Sequence, residues 1–82
     1  MQKKILAAIY LLVKNNHNIP LSPRNISGVT DCDEPCVERY FSEFEEEGYV
    51  SRKYRSMNIY TITKQGLIVA QEAYRQHWET QA

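Results

Sequence analysis

Residues 37–63, VERYFSEFEEEGYVSRKYRSMNIYTIT, carry the strongest structural signal in the chain. In the first half of this stretch Val37, Phe41 and Phe44 follow helical spacing, so one face of a helix is apolar. Gly48 comes directly after this pattern, and glycine readily adopts the positive φ that ends many helices. The stretch therefore predicts a core-facing helix that stops at Gly48.

The second half of the stretch predicts a β-hairpin. Residues 49–54 and 57–63 are rich in Tyr, Val, Ile and Thr and alternate roughly between apolar and polar side chains. In the second strand a period of two puts Tyr60 and Ile62 on one face, which we expect to face the core. The hairpin is also basic, with Arg52, Lys53 and Arg55 near its turn.

Length and composition predict one domain, residues 1–82, with a modest core. The net charge of zero hides a segregation of charge, because residues 31–47 hold eight acids and only one cation, Arg39. Residues 1–30 and 51–64 hold cations and no acid. No apolar run has the length of a membrane span and no leader cleavage site is evident, so we expect a soluble cytoplasmic protein.

The first helix is predicted over residues 2–15. Its core stripe follows the spacing i, i+4, i+7, i+8 and consists of Ile5, Ile9, Leu12 and Val13. Further apolar residues broaden this stripe to a second face: Leu6, Ala7, Ala8 and Tyr10. A helix that is apolar on two faces needs a second partner, and a subunit interface is the natural one.

Capping signals mark the starts of the other helices. Ser22 precedes Pro23, which predicts a short second helix over residues 23–29 with Ile26 and Val29 turned inward. Asp33 or Asp31 can cap the third helix, in which Pro35 lies in the first turn and which ends near Glu47. Thr63 is expected to cap a last helix over residues 64–80.

Two segments resemble winged-helix transcriptional regulators of the MarR and PadR kind. FSEFEEEGYVSRK, residues 41–53, is similar to the end of their recognition helix and the first wing strand, and YTITKQGLIVAQEAY, residues 60–74, is similar to their second wing strand and C-terminal helix. The resemblance covers nearly the whole chain from Ile5 to Tyr74. It implies an α+β, mainly helical winged helix-turn-helix fold: an N-terminal helix, a helix-turn-helix, a two-stranded wing and a C-terminal helix. It also implies a small homodimeric regulator, usually a repressor, often carried by a phage or plasmid, that binds double-stranded DNA.

The resemblance assigns roles to individual residues. The third helix, about residues 34–47, would enter the major groove, with four positions reading bases: Arg39, Ser42, Glu38 and Pro35. The wing and its flanks would contact the DNA backbone through Arg52, Lys53, Arg55, Arg24 and Lys4. The broad apolar faces of the two terminal helices, rather than the resemblance, predict a dimer interface through Leu6, Tyr10, Ile68, Tyr74 and Trp78.

The third helix departs from the family pattern because it is acidic. Asp33, Glu34 and Glu38 accompany the single Arg39, and acids near DNA oppose binding to phosphates. Asp33 is explained as a cap and Glu38 as an acceptor for a cytosine amine. The alternative is a winged-helix protein-interaction module that turns its acidic third helix toward a basic partner, as an anti-repressor, a DNA mimic or a subunit of a complex.

Other chemistry has little support in the sequence. Cys32 and Cys36 could form a redox switch or half of a shared metal site, but CxxxC lacks the spacing and the second ligand pair of a zinc site. We therefore expect one cysteine in the core and one near the surface. No nucleophile turn, phosphate-binding glycine loop or paired-carboxylate motif is present, so we predict no enzyme activity, no cofactor and no metal.

Overall fold

A computed structural model describes residues 2–53 and 58–79 of the chain, with the side chains of residues 78 and 79 left out. Within them the fold is a small, mainly helical α+β arrangement of four α-helices and a two-stranded antiparallel sheet. The elements in chain order are α1 Gln2–Val13, α2 Pro23–Val29, α3 Glu34–Glu47, β1 Val50–Arg52, β2 Tyr60–Ile62, α4 Lys64–Tyr74 and a π-helical turn, Arg75–Glu79.

Three predicted helix boundaries are confirmed by their backbone chemistry. The Ser22 hydroxyl accepts a hydrogen bond from the Asn25 N–H at 3.2 Å, as expected for the cap of α2. Gly48 ends α3 with a φ of 82°, which lies in the left-handed region. The Thr63 hydroxyl accepts from the Gly66 N–H at 3.0 Å and so caps α4.

Other predictions about the helix ends hold only in part. Asp33 occupies the capping position of α3 but its side chain makes no capping hydrogen bond. Pro35 explains part of this, because it lacks one of the two N–H groups that a cap at Asp33 would serve. Helix α1 ends at Val13, before the predicted end at residue 15, and α4 changes at Arg75 to a π-helical turn.

The hairpin strands are shorter than the sequence pattern suggested. Strand β1 pairs with β2 in the register Val50 to Ile62 and Arg52 to Tyr60, and one further bond extends the ladder from the Lys53 N–H to the Ile59 carbonyl at 2.8 Å. The middle of the predicted hairpin, residues 54–57 with Arg55, lies outside the described residues.

The core is built from residues of all four α-helices and of the hairpin. As predicted, Val37, Phe41 and Phe44 of α3 are fully buried, and Tyr60 is buried beside them. The Phe41 and Tyr60 rings are stacked, with centroids 4.9 Å apart and planes 7° from parallel. This stack fixes the distance between α3 and the hairpin. The predicted inward partner of Tyr60, Ile62, is half-buried and packs against the same core.

One predicted core residue of α2 is wrong. Ile26 is fully buried, but Val29 is 45% exposed. The inward position after Ile26 is Thr30, about one turn later, which is buried and whose hydroxyl donates a hydrogen bond to the Ile26 carbonyl at 2.9 Å. The core therefore accepts a satisfied hydroxyl where the sequence suggested an aliphatic side chain.

The second apolar face of α1 is covered within the same chain. Helix α1 makes its most extensive contact with α4, and Leu6, Ala7 and Ala8 are buried in the isolated protomer. The breadth of the apolar stripe on α1 is therefore explained by α4, and by itself it does not require a second subunit.

A short extended segment before α2 joins the hairpin. Leu21 and Tyr60 form an antiparallel bridge, in which each N–H donates to the other residue's carbonyl at 2.7 and 2.8 Å. Helices α2 and α3, which follow Leu21 in the chain, pack against each other. The arrangement is compatible with a helix-turn-helix followed by a wing. No helix in the described part is both long and apolar enough to cross a membrane.

Candidate nucleic-acid interface

The outward face of α3 carries three of the four predicted base-reading residues. Because successive residues of a helix are rotated by about 100°, the side opposite the buried Val37 and Phe41 is the one that presents Pro35, Arg39 and Ser42. All three are exposed. They form a stripe along the N-terminal half of the helix, which we call the α3 stripe. Within the described residues no carboxylate forms an ion pair with Arg39.

The fourth predicted base-reading residue, Glu38, lies beside this stripe and faces the hairpin. It is half-buried, and its Oε1 accepts a hydrogen bond from Nδ2 of Asn58 at 3.1 Å. The contact links α3 to the residue that leads into β2. The Glu38 carboxylate thus has a hydrogen-bond partner within the chain. Arg39 of the α3 stripe has no ion-pair partner among the described residues.

Arg52 is the most constrained of the predicted backbone contacts. Its Nη2 lies 3.5 Å from Oε1 of Glu45 and donates a hydrogen bond to the Tyr60 hydroxyl at 2.8 Å. The guanidinium carbon also lies 5.0 Å from the centroid of the Tyr60 ring, within the range of a cation–π contact. We call these three residues the hairpin latch. Arg52 therefore joins the hairpin to the C-terminal half of α3.

Burial of the Tyr60 ring is the main influence on its hydroxyl. Desolvation raises the pKa of Tyr60 above its usual value of 10.0, and the nearby guanidinium of Arg52 opposes this shift. The carboxylates of Glu45 and Glu38 raise the pKa further. Tyr60 consequently stays protonated and keeps its hydroxyl as part of the latch at neutral pH.

The other predicted backbone contacts are spread over three elements. Lys53 is exposed at the end of β1, and Arg24 is exposed on α2. Lys4 is half-buried on α1, and Arg55 lies outside the described residues. The structure therefore brings Arg52 and Lys53 together on the hairpin, next to α3, and leaves Arg24 and Lys4 on separate helices.

Four of the six acids of α3 fall into two groups. Glu38 and Glu45 are seven residues apart, which places them on one side of the helix, and both contact the hairpin. Glu43 and Glu46 are exposed, and each lies four residues beyond a member of the α3 stripe, Arg39 or Ser42. The exposed face of α3 therefore changes from basic and neutral in its first half to acidic in its second half.

A groove between α1 and α4 contains part of the predicted dimer interface. It has a volume of about 350 Å³ and is lined by Gln2, Lys3, Leu6, Ile68, Val69, Glu72, Ala73 and Gln76. Ile68 is 68% exposed at its edge, whereas Leu6 is only 4% exposed at its base.

The remaining predicted interface residues lie beyond this groove. Tyr10 and Tyr74 pack on each other in the same chain, with ring centroids 5.1 Å apart. The side chain of Trp78 is outside the described part. Among the predicted interface residues whose side chains the structure describes, Ile68 is therefore the exposed one.

The two cysteines follow the simpler expectation. Cys32 is buried in the core cluster and Cys36 is half-buried, and neither forms a disulfide bond among the described residues. In the described part of the chain, no three His, Cys, Asp or Glu side chains come together as a metal site would require.

Sequence reasoning missed the contacts between α3 and the hairpin. It gives Asn58 no role and does not place Glu45 against the hairpin. A signal was available, because Glu38 and Glu45 share one side of the helix and the following hairpin contains cations. That spacing indicates that acids on this side of α3 can meet the hairpin.

Comparison with protein-family models, curated proteins and solved structures gave no match.

Proposed function

We propose that this chain is a winged-helix regulator of the MarR and PadR kind that binds double-stranded DNA sequence-specifically, as a repressor-type homodimer acting in the cytoplasm. The order of elements supports this assignment, since α2, a turn and α3 are followed by an antiparallel hairpin. The Leu21–Tyr60 bridge adds a third extended segment beside that hairpin. A winged helix uses its hairpin as the wing, and Arg52 and Lys53 lie at the start of that wing.

The α3 stripe is the observation that carries the proposal. Pro35, Arg39 and Ser42 are exposed on one face, and Arg39 is unpaired among the described residues. Arginine in the major groove can donate two hydrogen bonds to guanine, and serine can bond to several bases. Glu38, which lies beside the stripe, accepts a hydrogen bond from Asn58. We propose that the N-terminal half of α3 enters the groove and that Arg39 provides most of the direct readout.

Phosphate contacts would come from the cations that flank α3. Lys53 on the wing and Arg24 on α2 are exposed, and Arg55 belongs to the same wing in the sequence. Lys4 on α1 would have a smaller role, because it is half-buried. Few such contacts are available, so we expect moderate affinity and a shallow dependence on salt.

The groove between α1 and α4 is the proposed dimer interface. One patch contains a protruding Ile68, an apolar base at Leu6, a cation at Lys3 and an acid at Glu72. A twofold interface places the same patch on both sides, so Ile68 of each protomer can enter the other's groove while Lys3 faces Glu72. Dimerisation would also present two α3 helices to successive major grooves.

A titration of fluorescent duplexes tests the proposed function. The chain is titrated against a random-sequence duplex and against duplexes from the region upstream of its own gene, in about 20 mM and about 150 mM salt. We expect binding to both at low salt and a preference for one upstream duplex at the higher salt. No binding to any duplex at low salt and high protein concentration would overturn the proposal.

The second candidate function is an interaction module for a basic protein. It is favoured by one observation, that Glu43 and Glu46 share the exposed face of α3 with Arg39. The double variant Glu43→Gln, Glu46→Gln separates the two functions. If the chain binds DNA, removal of these charges raises its affinity for the random duplex. If α3 instead binds a basic protein, neither the natural chain nor the double variant binds the duplex.

A further inference from the structure

The hairpin latch holds a cation of the proposed wing against an acid of the proposed reading helix. Oε1 of Glu45 and Nη2 of Arg52 are 3.5 Å apart, and the two side chains are 39% and 28% exposed. A carboxylate and a DNA phosphate offer the same kind of acceptor to a guanidinium group. Because the pair is open to solvent, a phosphate oxygen can approach Arg52 from outside.

The two contacts of Arg52 differ in what they do. The hydrogen bond to the Tyr60 hydroxyl, at 2.8 Å, and the contact with the Tyr60 ring orient the guanidinium on the hairpin. Tyr60 is itself fixed by its stack on Phe41. The contact with Glu45 is longer and single, which is typical of a weak, solvent-exposed ion pair. Arg52 can therefore exchange Glu45 for a phosphate and keep its contacts with Tyr60.

We propose that Glu45 competes with DNA phosphate for Arg52 and thereby suppresses sequence-independent binding of this chain to DNA. This inference rests on the proposed function. Phosphate contacts supply essentially all non-specific affinity, whereas base contacts discriminate between sequences. An acid of the chain itself that pairs with a wing cation lowers the non-specific affinity for DNA. It does not change the base contacts that the α3 stripe would make. Glu45 is thus a specificity-determining residue that need not contact DNA.

The test compares Glu45→Gln with a matched control, Glu47→Gln. Both substitutions remove one negative charge from the same end of α3, but Glu47 is exposed on the other side of the helix from Glu45. We expect Glu45→Gln to raise the affinity for a random-sequence duplex by up to about fivefold at low salt, the range of an exposed ion pair. The slope of log affinity against log salt should steepen by about 0.9, as one added phosphate contact predicts. The control should show less than half of either change.

The background variant Arg52→Gln makes the test specific for the latch. In that background Glu45→Gln should raise the affinity for the random-sequence duplex no more than Glu47→Gln does, because Arg52 is no longer present. Thermal melts followed by circular dichroism establish that each variant folds. If Glu45→Gln does not fold, Glu45→Ala replaces it, because alanine is a good helix former.

The outcomes separate this inference from the proposed function. If the natural chain binds duplex and Glu45→Gln gains no more than Glu47→Gln, the competition is overturned and the DNA-binding function stands. A gain that persists in the Arg52→Gln background overturns it as well. If neither the natural chain nor Glu45→Gln binds any duplex at low salt, both proposals are overturned.

Discussion

Gly66 in the first turn of α4 lies directly against the backbone of Tyr49, so that a methyl group at Gly66 would overlap the Tyr49 carbonyl oxygen. The same carbonyl accepts a hydrogen bond from the Thr63 N–H at 3.0 Å. The start of α4 is thereby fixed to the turn that follows α3. The lack of a side chain at residue 66 permits this close approach.

Gly66→Ala should destabilise the chain, because the overlapping atom belongs to the backbone and cannot rotate away. We expect a loss of about 1–3 kcal/mol in the free energy of unfolding, measured by chemical denaturation. Gly28→Ala is the matched control, since a side-chain carbon there meets nothing within 4 Å. It should be neutral or stabilising by up to about 1 kcal/mol. Equal effects of the two substitutions would contradict the packing described here.

Tyr60→Phe should alter the response of stability to alkaline pH. The folded pKa of Tyr60 is raised above 10.0, so the folded state holds this proton more tightly than the unfolded state. The resulting stability is fully present below pH 10 and is lost as the pH rises through the folded pKa. Denaturation between about pH 8.5 and 11.5 should therefore show that the advantage of the natural chain over the Tyr60→Phe variant shrinks with pH. Parallel curves for the two proteins would refute the prediction.

Arg39→Ala should weaken binding to a preferred duplex and relax its base preference. The preferred sequence is first obtained by selecting bound duplexes from a random pool. Loss of one bidentate base contact corresponds to about 1–3 kcal/mol, or roughly 5- to 150-fold in affinity. Arg75→Ala removes the same charge from an exposed position after α4 and serves as the control. A preferred sequence that stays unchanged in Arg39→Ala would exclude Arg39 as a base-reading residue.

Ile68→Glu should shift the chain from dimer to monomer. The substitution places a charge on the most exposed large apolar side chain of the groove, where the proposed interface buries it. Sedimentation equilibrium should give a mass near 9.6 kDa for the variant and about twice that for the natural chain. Val29→Glu, at the exposed Val29 of α2, should leave the mass unchanged. A natural chain that sediments as a monomer would overturn the interface.

The parts of the fold that local chemistry determines could be predicted from the sequence. Ser22, Gly48 and Thr63 act through hydrogen bonds or φ angles within three residues, so their roles are visible in the neighbouring letters. The buried face of α3 was equally accessible, because helical spacing alone selects Val37 and Phe41.

The parts that depend on distant segments could not be predicted. The bridge from Leu21 to Tyr60 has no pattern of its own, since a single paired residue leaves no alternation to detect. The burial of Thr30 instead of Val29 depends on how α2 is oriented against the rest of the chain, which its own residue spacing does not specify. In the candidate interface, the helical spacing of α3 was enough to predict that Arg39 is exposed. The ion pair between Arg52 and Glu45 could not be predicted, because it depends on how the hairpin lies against α3.

The bridge between Leu21 and Tyr60 also makes the helix pair a closed unit. The chain runs from Leu21 through α2, α3 and β1 to Tyr60 in β2, and Tyr60 pairs with Leu21. A tilt of α3 relative to the hairpin would thus strain a backbone pair at the entrance to α2 as well as the stack on Phe41. We therefore expect a tilt of the α3 backbone to move α2 and the hairpin with it.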